Sequence, residues 1–188
     1  MMGSVAARSN KERALDEYLV ASANLGERSA MELLARRWHP KLVAHAWRLT
    51  GEREMAREAA QNAWREILRG IRGLKDDRAF AAWAYRIVSR ACAREIGGAV
   101  RERDLKSAVA AEPRDLSTAP DEPAETEPLR LAIRQLPAGE RAAIALYHFE
   151  EMRVAEIAVA LAVPAGTVKT RLMNARRKLR AILEGETP

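Results

Sequence analysis

Cysteine is nearly absent from this chain: Cys92 stands alone among 188 residues. A single thiol excludes an intrachain disulfide framework and a thiolate metal cluster, and it suits a reducing compartment. Cys92 reads as a small packed residue rather than a redox sensor, since nothing around it signals an activated thiolate. Aromatic residues are few, at 5%, and β-branched runs are scarce, whereas Ala, Leu and Arg are abundant. That bias favours helices over a sandwich or barrel, and no sheet is expected. No stretch reaches the roughly 18 consecutive apolar residues of a membrane span, and the opening MMGSVAARSNKER lacks the apolar centre of a signal peptide. A cytoplasmic protein without membrane insertion is expected. The three histidines, His39, His45 and His148, are scattered; His39 and His45 lie six apart, which is wrong for one helical face. No Cys/His set has zinc spacing and no glycine-rich phosphate loop occurs. No catalytic residues, metal or cofactor are expected, and the protein is read as a non-enzyme.

What is present is charge and helical periodicity. With 48% hydrophobic and 31% charged residues the chain has an ordinary globular balance, which excludes disorder throughout. The formal charge of +6 suits a polyanionic partner, although a basic surface also serves solubility alone. From about Lys11 to Glu95, apolar residues recur at three- and four-residue steps, including Leu15, Leu19, Leu33, Leu34, Leu42, Trp47, Trp64, Ile67, Leu68, Ile71, Trp83 and Ile87. Breaks at Gly26, at Thr50-Gly51 and across Arg72 to Asp77 divide this stretch into four helices.

The composition then changes. Ala110 to Pro128 carries repeated prolines, six acidic residues and one basic residue, Arg114. Such a segment buries too little apolar surface to offset its ordering entropy, and a flexible acidic, proline-rich linker is expected. Helical periodicity resumes at Leu129. The expected architecture is all-α: a helical domain over 1–98, a linker over 99–128 and a second small helical domain over 129–188.

Near the end, EIAVALAVPAGTVKTRLMNARRKLRAIL reads as two helices joined by a tight turn. Val168, Leu172, Ala175, Leu179 and Ile182 form one apolar stripe, while Lys169, Thr170, Asn174, Arg176, Arg177 and Arg180 fall largely outside it. Between Thr167 and Arg180 there are six basic residues and no acidic one. Pro164 suits a helix start, and the short AVPAG turn sets the two helices at a steep angle. This is the pattern of a helix-turn-helix, whose second helix enters the major groove. A plain helical hairpin with a solvated basic face is the alternative.

LPAGERAAIALYHFEEMRVAEIAVALAVPAGTVKTRLMNARRKLR resembles region four, the promoter-binding domain, of the sigma-70 family, in its extracytoplasmic-function group. The resemblance rests on Leu136-Pro137, Glu140-Arg141, Leu146, Phe149-Glu150, Glu156-Ile157-Ala158, Leu161, Val163-Pro164, Gly166-Thr167-Val168-Lys169, Arg171-Leu172, Ala175-Arg176 and Leu179-Arg180. It implies contacts to the minus-thirty-five promoter element from Pro164, Gly166, Thr167, Lys169, Thr170, Met173, Asn174 and Arg176. Tyr147 stands where relatives often carry a basic DNA contact, which leaves base preference open. Ala162 stands where a turn glycine is common, which implies slight strain.

The N-terminal half is similar to region two of the same group, through LLARRWHPKLVAHAWRLTGEREMAREAAQNAWREIL and FAAWAYRIVSRACARE. The resemblance implies docking on the clamp helices of the RNA polymerase largest subunit through Glu58, Gln61, Asn62 and Leu68, with Arg57 replacing an acidic residue. A contact of the C-terminal domain with the polymerase flap is also implied. For the minus-ten element it implies Lys75, Asp76, Asp77, Arg78, Phe80, Arg86, Arg90 and Arg94. Arg90 and Arg94 replace the usual Asn and Asp or Asn. Trp83 reads as core; Phe80 reads equally as core or as a base-stacking ring.

The resemblance thus implies a sigma factor that brings polymerase core to promoter DNA and is masked by an anti-sigma factor. The rival reading is a sigma-like decoy that titrates an anti-sigma factor without initiating transcription, motivated by Arg57, Arg90 and Arg94.

Overall fold

The computed structural model describes residues 10–106 and 127–185, and among these residues no strand occurs. The order is α1 (Asn10–Asn24), α2 (Arg28–Thr50), α3 (Arg53–Gly70), α4 (Phe80–Lys106), α5 (Glu127–Gln135), α6 (Ala138–Ile144), α7 (Val154–Leu161) and α8 (Ala165–Glu184). The four N-terminal helices and their breaks fall where the apolar periodicity puts them. No described helix is long and apolar enough to cross a membrane.

Local chemistry fixes the helix ends. Gly51 closes α2 at φ 74, a left-handed conformation that a side chain would strain, and its N–H donates to the Trp47 carbonyl at 2.8 Å. Pro40 lies inside α2 without ending it. The Arg36 carbonyl loses its helical donor there, but both residues are exposed and water can reach it. Asp76 caps the 3-10 turn Asp77–Ala79 by accepting from the Arg78 N–H at 3.1 Å.

Helix α3 buries a row of small residues, Ala56, Ala59, Ala60 and Ala63, with Ile67 at its end. The missing bulk lets α2 and α4 lie close on either side of it. Into that space project Leu34, Trp38 and Leu42 from α2, and Tyr85 and Val88 from α4, all at most 1% exposed. Burial of each large side chain contributes about 2 kcal/mol. Gly70 is a second place where a glycine is required, because a Cβ there would stand 2.9 Å from the ring of Trp83.

Helix α4 differs from the sequence expectation: it runs through Gly97 and Gly98 to Lys106, so 99–106 is helix where the linker was expected to start. Two glycines disfavour a helix by only about 1 kcal/mol each, and the residues after them, Ala-Val-Arg-Glu-Arg, include good helix formers. The rest of the acidic stretch, 107–126, lies outside the described residues. Helices α5 to α8 form a second bundle around Leu136, Ile144, Leu146, Ile157, Val168 and Leu172. It packs against the first through α2 and α4, so one apolar core runs through both.

Candidate nucleic-acid interface

The turn before α8 is built from two backbone choices. Ala162 ends α7 in the left-handed region, at φ 52 and ψ 45, where its N–H and that of Val163 satisfy the last carbonyls of the helix. This is the strained alanine expected from the missing turn glycine. Pro164 then opens α8 with extended backbone at ψ 148. Val168, Leu172 and Ala175 face inward and are buried. Pro164, Gly166, Lys169, Thr170, Met173, Arg176, Arg177 and Arg180 are exposed, with Thr167 and Asn174 half-buried. The whole set of minus-thirty-five candidates therefore lies on the first twelve residues of one helix and the turn before it. Thr170 Oγ1 donates back to the Gly166 carbonyl at 3.1 Å.

The base of α8 is tied down from α6, where Lys178 Nζ donates to Glu140 at 2.9 Å. A π-type turn, Ala145–Phe149, brings Tyr147 beside the outer face, and the Arg176 guanidinium stacks on its ring at 5.1 Å. Burial, and next the Arg176 charge, lower the pKa of His148 and favour its neutral form.

In the first bundle the minus-ten candidates are less uniform. Lys75, Asp76 and Arg78 are exposed on the turn before α4, and Asp77 is half-buried. The Asp76 carboxylate accepts from Arg78 Nε at 3.0 Å, and that side-chain bond, followed by the backbone one, lowers its pKa. Arg86, Arg90 and Arg94 are exposed and recur every four residues, so they line one side of α4. Arg90 is ion-paired with Glu66 of α3.

Of the two readings of Phe80, the structure matches the core one: it is 2% exposed and stands edge-on to Trp38 at 5.0 Å, so its ring packs the core. Trp83 is half-buried against the core, as its helical spacing implied.

On α3, Glu58, Gln61 and Leu68 are exposed along one side, Leu68 at 56%. Asn62 faces α4 instead, donating to Glu95 at 3.0 Å while accepting from Arg65 at 2.7 Å. Arg57 reaches Glu54 at 3.4 Å, so its charge is partly met on its own helix. Cys92 is buried and its thiol is pushed up to about 12, chiefly by desolvation, which makes it unreactive. Among the described residues no group of three or more His, Cys, Asp or Glu could hold a metal ion.

Comparison with known proteins draws these surfaces together. The family described as Sigma-70 region 2 matches residues 34–102, and the one described as Sigma-70, region 4 matches residues 126–179. The ECF RNA polymerase sigma factor SigM of Mycobacterium tuberculosis is 31% identical over 171 residues, covering 89% of this chain and 84% of that protein. The chain belongs to the sigma-70 family, in its extracytoplasmic-function group. Like other sigma factors of this group, it directs bacterial RNA polymerase core to specific promoters for transcription initiation. The RNA polymerase sigma-H factor of Pseudomonas aeruginosa is 28% identical over 182 residues, covering 90% of this chain and 94% of that protein.

Two solved structures share the sigma-factor fold. One is the sigma factor RpoE in complex with the anti-sigma factor NepR from Bartonella quintana, with a TM-score of 0.71 and 20% identity over 84% of this chain and 98% of that one. The other is CnrH in complex with the cytosolic domain of CnrY, with a TM-score of 0.69 and 21% identity over 92% of this chain and 99% of that one.

The surroundings of Glu150, which the sequence reading named only as part of the Phe149-Glu150 match, escaped that reading of this sigma factor. Glu150 is 7% exposed and its carboxylate meets Arg48 of α2 and Tyr85 of α4.

Proposed function

We propose that the two bundles divide promoter recognition between them. Helix α8 reads the minus-thirty-five element through Pro164, Gly166, Thr167, Lys169, Thr170, Met173, Asn174 and Arg176. The turn before α4, with Lys75, Asp76, Asp77 and Arg78, and the arginine row Arg86, Arg90 and Arg94 meet the minus-ten element. The exposed side of α3, with Glu58, Gln61 and Leu68, docks on the polymerase core, and Asn62 positions α4 through Glu95. The observation that carries this reading is α8: an exposed helix face rich in Lys and Arg, without an acidic residue from Thr167 to Arg180, on a turn built to present it.

In this reading the protein acts in the cytoplasm as a binding subunit and not as an enzyme, and an anti-sigma factor is its inhibitory partner. The neighbours solved with NepR and with CnrY support that partner class. Charge departures at Arg57, Arg90 and Arg94 motivate the decoy reading. Arg57 is partly met by Glu54 and Arg90 by Glu66, so two of the three change the local charge less than the sequence suggests. Run-off transcription with core polymerase over a randomised promoter library is the test. Transcripts below an enriched two-block motif are the expected result. An active core yielding none, while the protein binds an anti-sigma factor tightly, would establish the decoy instead.

A further inference from the structure

We propose that Tyr147 is a positioning residue for promoter contact: its ring holds the Arg176 guanidinium in place for a DNA phosphate and leaves the donors of that group free. The functional part rests on the reading that α8 meets the minus-thirty-five element; the stack itself rests on geometry. Placement of the ring starts with the π-type turn Ala145–Phe149, where the Glu150 N–H donates to the Ala145 carbonyl at 3.3 Å. Five-residue bonding fits one more residue into the turn than an α-helix does, and it shifts the side chains that follow. Ala145 and Leu146 stay buried, whereas Tyr147, His148 and Phe149 follow one another on the exposed side. Tyr147 is 37% exposed; its ring takes the Arg176 guanidinium at 5.1 Å and meets the His148 ring edge-on at 4.9 Å.

The kind of partner decides what an arginine can still do. A guanidinium offers a phosphate its charge and a planar fork of N–H donors. A carboxylate partner takes donors and offsets the charge, as Glu66 does for Arg90. A ring face does neither: it attracts the cation through its quadrupole and leaves the donors at the rim of the guanidinium available. Arg176 is exposed and has no carboxylate partner among the described residues, so it keeps its full charge. An unrestrained arginine gives up rotamer freedom when it binds, and the ring removes part of that freedom beforehand.

The other cations of the same face lack this support. Lys169, Arg177 and Arg180 are exposed on α8 with neither a ring nor a carboxylate partner among the described residues. They supply charge, whereas the direction of Arg176 is set by a second element of the fold. A phosphate contact fixes the register of a protein on its duplex, so a pre-placed arginine anchors the whole helix. An exposed cation over a ring corresponds to roughly 2- to 5-fold in an equilibrium constant, which is the size of effect expected on binding.

Affinity and its salt dependence separate positioning from contact, measured with the full chain and core polymerase on a duplex carrying the selected minus-thirty-five block. Tyr147→Leu should weaken binding roughly 2- to 5-fold and leave the slope of log affinity against log salt unchanged, because no cation is lost. Tyr147→Phe, which keeps the ring face without the hydroxyl, should recover most of that loss. In an Arg176→Ala background, Tyr147→Leu should weaken binding no further. A loss that persists in that background, a Tyr147→Phe as weak as Tyr147→Leu, or a Tyr147→Leu that binds as wild type would each overturn the proposal. Nuclear magnetic resonance of the free chain checks the stack without DNA. The Arg176 Hδ protons should be shifted upfield by the ring, and Tyr147→Leu should abolish the shift; a wild type without it would also overturn the proposal. A shift that is present while Arg176→Ala binds as wild type, or while no block is selected, would keep the stack and remove the minus-thirty-five reading, and with it the part of Tyr147 in promoter contact.

Discussion

Two sets of basic residues in this chain do opposite work. Arg48, Arg130 and Arg134 turn inward, onto Glu150, Trp47 and the Gly51 carbonyl, where each meets the other bundle. Lys169, Arg177 and Arg180 turn outward from α8 and make no ion pair among the described residues. The inward set fixes an arrangement, because a buried guanidinium tolerates few partners and few geometries. The outward set attracts a polyanion and fixes nothing by itself. Net charge alone would not have separated these roles. The α4 row stands between them: Arg90 is exposed but already paired with Glu66.

The largest effect expected of the inward region comes from acid. His45 lies beside Arg48 beneath the Tyr85 ring, fully buried, with Nε2 3.0 Å from the Ser89 hydroxyl and Nδ1 without a hydrogen-bond partner. Burial, and next the Arg48 charge, push its pKa down to about 3. The unfolded chain therefore takes up this proton first as pH falls. Stability is full above about 6.5 and is lost progressively towards 3, by up to about 5 kcal/mol. Urea melts from pH 7 to 4 should show this decline, and His45→Gln, which cannot titrate, should flatten it. An unchanged slope in His45→Gln would remove His45 from the account.

Next in size is Arg48→Ala, which removes a mostly buried partner of the Glu150 carboxylate and should destabilise the fold by about 3 kcal/mol. Arg177→Ala on the outward face should change stability by less than about 0.5 kcal/mol. Paired denaturation curves compare them, and equal losses would erase the contrast between the two sets.

Much of this organisation was legible in the sequence, for a definite reason. Helix existence and the inward stripe of α8 depend on residues three and four apart, which periodicity reports. The strain at Ala162 was legible because a turn position demands a backbone that alanine adopts poorly. The burial of Phe80 and Glu150 was not. Phe80 depends on Trp38, and Glu150 on Tyr85 across 65 residues, so no local pattern marks them. The extent of α4 was missed because Gly97-Gly98 and the change of composition outweighed the helix formers that follow.

A smaller effect isolates the turn from the charges. Ala162→Gly relieves the left-handed alanine at the end of α7 and offsets part of that gain through greater freedom in the unfolded chain. A net stabilisation of about 0.5 to 1 kcal/mol is expected, read as a rise in Tm. Its DNA affinity should keep the wild-type salt dependence, since no cation moves.

The finest division is in that salt dependence. Each phosphate contact releases counterions and contributes about 0.9 to the slope of log affinity against log salt. Lys169→Ala and Arg176→Ala, binding a duplex with the selected minus-thirty-five block, should each flatten the slope by about that amount. Arg48→Ala should leave it unchanged, because its charge faces Glu150 and not the solvent. Arg90→Ala, measured on DNA carrying the minus-ten block, should flatten it by a fraction of a contact, because Glu66 competes with phosphate for the same guanidinium. Removing that competitor should reverse the sign: Glu66→Gln frees Arg90 and should steepen the slope. A full-contact loss for Arg90→Ala together with no response to Glu66→Gln would mean that the pair opens on DNA without penalty, and α4 would then belong with the outward set.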